Sequence, residues 1–261
     1  MIFAYTNSDI MTAYTKLQYT LLSALLFLVS TSFAQTNKKA VFDEGYITYE
    51  IQVIGMPEIE EFLKETTLTL YVKDDKTKMD LRIMGGFAQM QLVSNFYNDL
   101  HTVLMDLPML PNKISIPLVG DDDILERLDS KVHTNHSPKD FGTIAHFEQD
   151  VKKIAKQPCY RAELPIAGED NFALMYLAKK IKSAYSIKLF EQVGITDAIP
   201  LALNICIDDI HVYLIAKEVK KVKIDDAIFE VTEEYNQQTF KELRRSIEEV
   251  FGSTKKEGVG L

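Results

Sequence analysis

Thr67-Leu68-Thr69-Leu70-Tyr71-Val72-Lys73-Asp74-Asp75-Lys76-Thr77-Lys78-Met79-Asp80-Leu81-Arg82-Ile83-Met84-Gly85-Gly86-Phe87-Ala88-Gln89-Met90-Gln91-Leu92 is the stretch that decides the fold. Leu68, Leu70 and Val72 alternate with polar neighbours. Met79, Leu81 and Ile83 then alternate with Lys78, Asp80 and Arg82, and Ala88, Met90 and Leu92 follow with the same period. A period of two puts successive side chains on opposite faces of a strand, so each run predicts a strand with one face buried and one wet. Asp74-Asp75-Lys76 is a short polar link that predicts a hairpin turn, and Gly85-Gly86 supplies a second turn because glycine tolerates positive φ. Three consecutive antiparallel strands result.

Outward from there the pattern repeats. Ile47, Tyr49, Ile51 and Val53 alternate within 46–53, and further strands are predicted over 101–107, 113–117, 142–147, 160–164, 172–177, 201–207 and 211–219. Short helices are predicted over 57–64 and 121–129. Another over 179–193 carries Ile181, Tyr185 and Leu189 at four-residue spacing. The clearest helix signal is C-terminal. Thr239 and Glu242 have capping-box spacing, Phe240, Leu243, Ile247, Val250 and Phe251 form one apolar stripe, and Gly252 stands where a helix stops. The fold class expected is mainly β with a few helices, as one domain over residues 35–252, followed by a flexible tail over 253–261.

Residues 1–34 read differently. Lys16 precedes the apolar run Leu21 to Val29, and Ser32-Phe33-Ala34 ends it, the order of a signal peptide cleaved after Ala34. The run is shorter than the roughly 20 residues a membrane-crossing helix requires. Met11 is an alternative start. The expectation is an exported protein, periplasmic or secreted, that does not span a membrane. Cleavage removes one Lys and one Asp, so the net charge of −9 is unchanged. That sign disfavours nucleic acid and anionic lipid surfaces as partners.

Catalytic signatures are missing: the sequence has no Gly-x-Ser-x-Gly elbow, Walker loop, Gly-x-Gly-x-x-Gly turn or His-Glu-x-x-His helix. His133 and His136, with Asp140 and His146 downstream, have zinc-like spacing but lie in a polar segment with Pro138 that reads as a solvated loop. Asp121-Asp122-Asp123 reads as helix capping, and Asp208-Asp209 with His211 as an ordinary hairpin end. No enzyme activity, cofactor or metal is expected. Cys159 and Cys206 are the only cysteines, a candidate disulfide in an exported chain or else two buried thiols. Methionines cluster at 79, 84, 90, 105 and 109, where flexible thioethers fill a core or line an adaptable apolar site. The candidate ligand-lining residues are Met79, Leu81, Ile83, Met90, Leu92 and Met105.

The strings Glu44-Gly45-Tyr46-Ile47-Thr48-Tyr49-Glu50, Lys76-Thr77-Lys78-Met79 and Ile83-Met84-Gly85-Gly86 resemble the start of a family of secreted bacterial domains of unknown function. That family is grouped with the LolA-like lipoprotein-carrier superfamily. The resemblance continues through Leu104-Met105-Asp106-Leu107, Lys113, Cys159, Ala216-Lys217-Glu218-Val219 and Ile224-Asp225-Asp226 to Phe229. It implies a curved antiparallel sheet, a half-barrel whose concave apolar side is covered by helices. The superfamily holds sensors as well as carriers. The chain departs from the carriers in having no identifiable lid-locking arginine and no lipidated cysteine. The function expected is binding or sensing of a lipid-like or other hydrophobic molecule in the cell envelope. The alternative is an envelope protein-interaction or structural module without a ligand cavity.

Overall fold

The structure is a computed structural model. It describes residues 33–35, 42–118 except 56, 58, 59, 61, 62 and 99, then 144–165, 172–178, 181, 185–187, 198–207 and 210–246 except 244. The described residues are mainly β. The strands are β1 (Phe33–Gln35), β2 (Glu44–Ile54), β3 (Thr67–Lys73), β4 (Lys76–Ile83), β5 (Ala88–Asn95), β6 (Leu100–Asp106) and β7 (Ile114–Leu118). They continue with β8 (Ala145–Ile154), β9 (Gln157–Pro165), β10 (Phe172–Ala178), β11 (Tyr185–Ile187), β12 (Pro200–Ile207), β13 (Ile210–Lys220) and β14 (Asn236–Gln237). The helices expected over 121–129 and most of 179–193, the His133–His136 loop with Asp140, Asp208-Asp209, the apolar stripe beyond Leu243 and the tail lie outside the described residues, as does most of the signal segment.

Contacts divide the chain into two compact units, one of Met1–Asp43, Tyr49–Lys64 and Asp121–Glu218, the other of Glu44–Thr48, Glu65–Gly120 and Val219–Leu261. No linker marks this division because β2 and β13 each run from one unit into the other.

In the second unit the strand order is β14-β7-β6-β5-β4-β3. The predicted meander is present, every successive pair from β3 to β7 being antiparallel. The first hairpin closes in two residues, with Asp74 at φ 48°. The second turn is a 3-10 turn, Met84–Gly86, whose Gly85 has φ 65°. That positive φ calls for glycine, while a Cβ there would meet only Glu65 Oε2 at 3.2 Å, the end of an exposed side chain that can move aside.

In the first unit the order is β13-β12-β10-β9-β8, all antiparallel. Ala162, Met175, Leu203 and Leu214 stand opposite one another across four strands and are all buried. The Tyr49 hydroxyl, enclosed by the same unit, donates to Pro200 O at 3.0 Å. Burial and then the neighbouring Cys159 raise the Tyr49 pKa well above its ordinary value.

One expectation changes, and one pair of alternatives is decided. The four-residue spacing of Ile181, Tyr185 and Leu189 predicted a helix, yet Tyr185–Ile187 is a strand paired antiparallel with Phe33–Gln35. Ladder bonds to a partner strand outweigh three positions of helical period. The Cys159–Cys206 disulfide is not formed, and both residues are buried thiols. Cys159 is opposite Ala178 and Cys206 is opposite Phe172, so the two flank opposite ends of β10. Six residues of strand separate those ends by about 20 Å, far beyond the reach of a disulfide.

The C-terminal cap is formed as its spacing predicts. Thr239 N donates to Glu242 Oε2 at 2.7 Å and Glu242 N donates back to Thr239 Oγ1 at 3.3 Å. That bond to Thr239 N holds the Glu242 carboxyl below its ordinary pKa. Residues 240–243 and 245–246 are helical.

Candidate functional site

Register brings the six candidate ligand-lining residues onto one face of β4, β5 and β6. Leu81 stands opposite Met90, and Met90 opposite Met105. Leu68 and Ile114 extend this row to β3 and β7. A second row runs Leu70, Met79, Leu92, Val103, Ile116. Ile83 lies one step beyond the first row, opposite Ala88. The six are exposed by at most 7%, so in this structure each is enclosed. Met84 is not among them, since it lies in the 3-10 turn and is 42% exposed.

The apolar face ends in a polar row that periodicity does not single out. Thr77, Ser94 and His101 stand opposite one another next to the second apolar row, between Val72 and Leu118. Ser94 is fully buried, and among the described residues its hydroxyl has no hydrogen-bond partner. A buried hydroxyl without a partner costs about 1–3 kcal/mol, a penalty that a polar group brought to this position would remove. The sequence signal was small: a Thr and a Ser at the phase of an otherwise apolar strand face.

The opposite face of the same sheet carries polar and apolar residues together and is closed by the chain itself. Residues 221–238 cross it as a strap. Ile224 and Phe229 join Val93 and Leu104 in one buried cluster, flanked by Tyr46, Tyr71, Ile228 and Tyr235. Charged clamps hold the strap at both ends. Lys73 Nζ donates to Ile224 O at 2.8 Å and to Asp226 Oδ2 at 2.7 Å, while Lys76 Nζ reaches Asp226 Oδ1 at 2.9 Å. These bonds hold the Asp226 carboxyl below its ordinary pKa. At the other end Lys113 Nζ bridges Glu234 Oε2 at 2.8 Å and Asp106 Oδ2 at 3.1 Å, which raises the Lys113 pKa. The strap then joins the edge strand β7 as the short parallel strand β14, with Gln238 N donating to Ser115 O at 2.8 Å.

Asp80 lies on this closed face, 4% exposed. Its Oδ1 accepts from Gln89 Nε2 at 2.6 Å and Gln91 Nε2 at 3.4 Å, and its Oδ2 from Arg82 Nε at 3.1 Å. With its oxygens occupied by neighbours on β4 and β5, this carboxylate fixes the register of the two strands. In the first unit Cys206 Sγ is 3.8 Å from His211 Nε2, and burial pushes the Cys159 thiol up to about 11. A thiol so hard to ionise is a poor nucleophile. Among the described residues no group of three or more His, Cys, Asp or Glu side chains is placed to hold a metal ion. No helix among them is long and apolar enough to cross a membrane.

No protein-family model matches the chain, and no curated protein sequence matches it. Solved structures to which the chain is similar at low scores include the Pseudomonas aeruginosa MucA/MucB complex, at TM-score 0.40 and 8% identity over 75% of this chain and 58% of that one. Another is the Mycobacterium tuberculosis lipoprotein LppX, at TM-score 0.30 and 9% identity over 70% of this chain and 90% of that one. A third is a DUF1329 family protein from Desulfovibrio piger, at TM-score 0.21 and 9% identity over 82% and 96% of the two chains. The chain spans little more than half the length of the chain it matches in that complex.

Proposed function

We propose that this protein is an exported, non-enzymatic carrier or sensor that holds an amphiphile, such as a fatty acid or a phospholipid acyl chain, on the apolar face of β3 to β7. One observation carries the proposal. Two full rows of apolar side chains, with Met79, Met90 and Met105 among them, end at the polar row Thr77, Ser94 and His101, where a buried hydroxyl has no partner among the described residues. An acyl chain would lie along the apolar rows and its polar head would meet Ser94. The opposite face is unavailable for this, being occupied by the strap. In this proposal the apolar face is the inner side of a curved sheet covered by helices, and the methionines supply the adaptability that different chains demand.

Hiding a 16-carbon chain from water is worth roughly 12 kcal/mol at most, at about 0.8 kcal/mol per methylene, less the cost of association. A carrier must also release its load, so the enclosed face has to open. Native mass spectrometry of the protein purified from a bacterial periplasm without detergent tests the proposal. A stoichiometric adduct that fragments as a fatty acid or phospholipid is expected. A bare protein mass, unchanged after incubation with such lipids, overturns it.

A further inference from the structure

The turn between β5 and β6 holds apolar side chains out in water. Tyr97 is 88% exposed and Leu100, which opens β6, is 60% exposed, the two most exposed large apolar side chains among the described residues. The turn is braced. Phe96 N donates to Asp75 O at 2.9 Å, Tyr97 N donates to Asn95 Oδ1 at 3.1 Å, and the ring centroids of Phe96 and His101 are 5.5 Å apart. Leu100 is in the opposite phase of β6 from His101, so neither it nor Tyr97 adds to the enclosed apolar rows. One exposed apolar residue on a protein surface is ordinary. Two on one braced turn stand at the place where Ser94 leads into the turn and His101 follows it, which is the polar end of the apolar face.

Size and charge choose the partner. A protein interface takes about 800 Å² from each side, several times what two side chains can offer. The interfacial layer of a bilayer needs no matching shape, and it accepts a tyrosine with its apolar ring inward and its hydroxyl in the head groups. The neighbouring hairpin carries Asp74 and Asp75, and Lys73 and Lys76 that flank them are both bound to Asp226. That balance offers no attraction to anionic head groups, so the surface that fits is a zwitterionic one. Two inserted side chains make a weak, reversible contact, which suits a carrier that has to leave the membrane again.

We infer that the β5–β6 turn is a membrane-docking tip, which sets Tyr97 and Leu100 into the head-group layer of a zwitterionic bilayer and brings the polar row of Thr77, Ser94 and His101 to the lipid. The inference rests on the lipid-binding proposal above and names the surface from which the lipid comes. The chain contains no tryptophan, so Tyr97→Trp makes the tip its single reporter. Protein purified from a bacterial periplasm without detergent is mixed with phosphatidylcholine vesicles, with and without a nitroxide on the head group. Emission from Tyr97→Trp is expected to shift to the blue and to be quenched by the nitroxide, and the wild type is expected to float with the same vesicles at high salt as at low. Leu100→Asp is expected to float about ten-fold more weakly with an unchanged circular dichroism spectrum, since residue 100 is exposed. A wild type that does not float, an emission that vesicles leave unmoved or the nitroxide leaves unquenched, or flotation that Leu100→Asp does not weaken overturns the inference. Native mass spectrometry of the same protein separates it from the proposal beneath it. A lipid adduct without flotation overturns the docking tip alone, whereas flotation that Leu100→Asp weakens, without an adduct, supports the tip and overturns the lipid-binding proposal.

Discussion

β5 and β8 are both antiparallel strands, of eight and ten residues, and they occupy opposite extremes of burial. β5 is enclosed on both faces, its Met90, Leu92 and Ser94 on one side and Gln91 and Val93 on the other. β8 is open on both faces apart from Ile154 at its end. The difference is one of surroundings. β5 has two strand neighbours, an enclosed face, and a second face sealed by Ile224 and Phe229 of the strap. β8 has a single strand neighbour among the described residues. The same backbone geometry therefore serves as core in one unit and as an available edge in the other.

Truncating one residue in each strand should separate the two most sharply. Leu92→Ala is expected to cost about 2–5 kcal/mol in urea unfolding, whereas Val151→Ala on β8 should stay within about 0.5 kcal/mol. A Leu92→Ala cost below about 1 kcal/mol would mean that the apolar face is loosely filled, which would break the contrast and favour a face that awaits ligand.

Polar burial gives the next effect. Asp80→Ala strips acceptors from Gln89, Gln91 and Arg82 on the closed face, with an expected loss of about 2–3 kcal/mol. Lys153→Ala on the exposed strand β8 should be close to neutral by the same unfolding assay.

The turn after β8 should respond in the opposite direction. Ala155 and Lys156 close the β8–β9 hairpin at φ 46° and 66°, values that favour glycine. Lys156→Gly should therefore stabilise the first unit by up to about 1 kcal/mol, net of the entropy glycine adds to the unfolded chain. A loss of stability would show that the Lys156 side chain makes a contact worth more than the backbone strain.

The smallest effect is expected at the strap, which is what closes β5 on its second side. The folded pKa of Asp226 lies below its unfolded value because Lys73 and Lys76 bind the carboxylate. Its contribution is thus fully present above the ordinary carboxylate range near about 4 and is lost as pH falls through the lower folded value. Hydrogen exchange at Ile228, corrected for intrinsic rates, should show protection falling in that acid window. Asp226→Asn should flatten the change. An unaltered acid profile in Asp226→Asn would assign the loss to another group, with Glu234 at the Lys113 clamp the next to test.

Much of the second unit is legible in the sequence. Alternation at Leu68 to Leu92 located β3, β4, β5 and their turns, and it grouped six residues that the structure places on one face. The strap was not legible as a cover, because Ile224, Ile228 and Phe229 belong to a segment with no strand or helix period. β8 was legible only at its start, since Glu148 to Lys153 have no apolar alternation to read. Its hairpin lacks the Asn-Gly or Asp-Gly signature, using Ala155-Lys156 instead. Ser94 is not legible from sequence, because a single hydroxyl in an apolar phase carries no signal until its burial, and its lack of a partner among the described residues, are known.

By itself, the sequence determined the β class, the meander, the apolar phase of its strands and the capping box at Thr239, since each follows from interactions a few residues apart. Tertiary structure decided that Cys159 and Cys206 flank opposite ends of β10, that the strap closes one face of β5, and that β8 has a single strand neighbour among the described residues. Those outcomes depend on which strands become neighbours, a choice made by contacts between distant parts of the chain that no local pattern encodes.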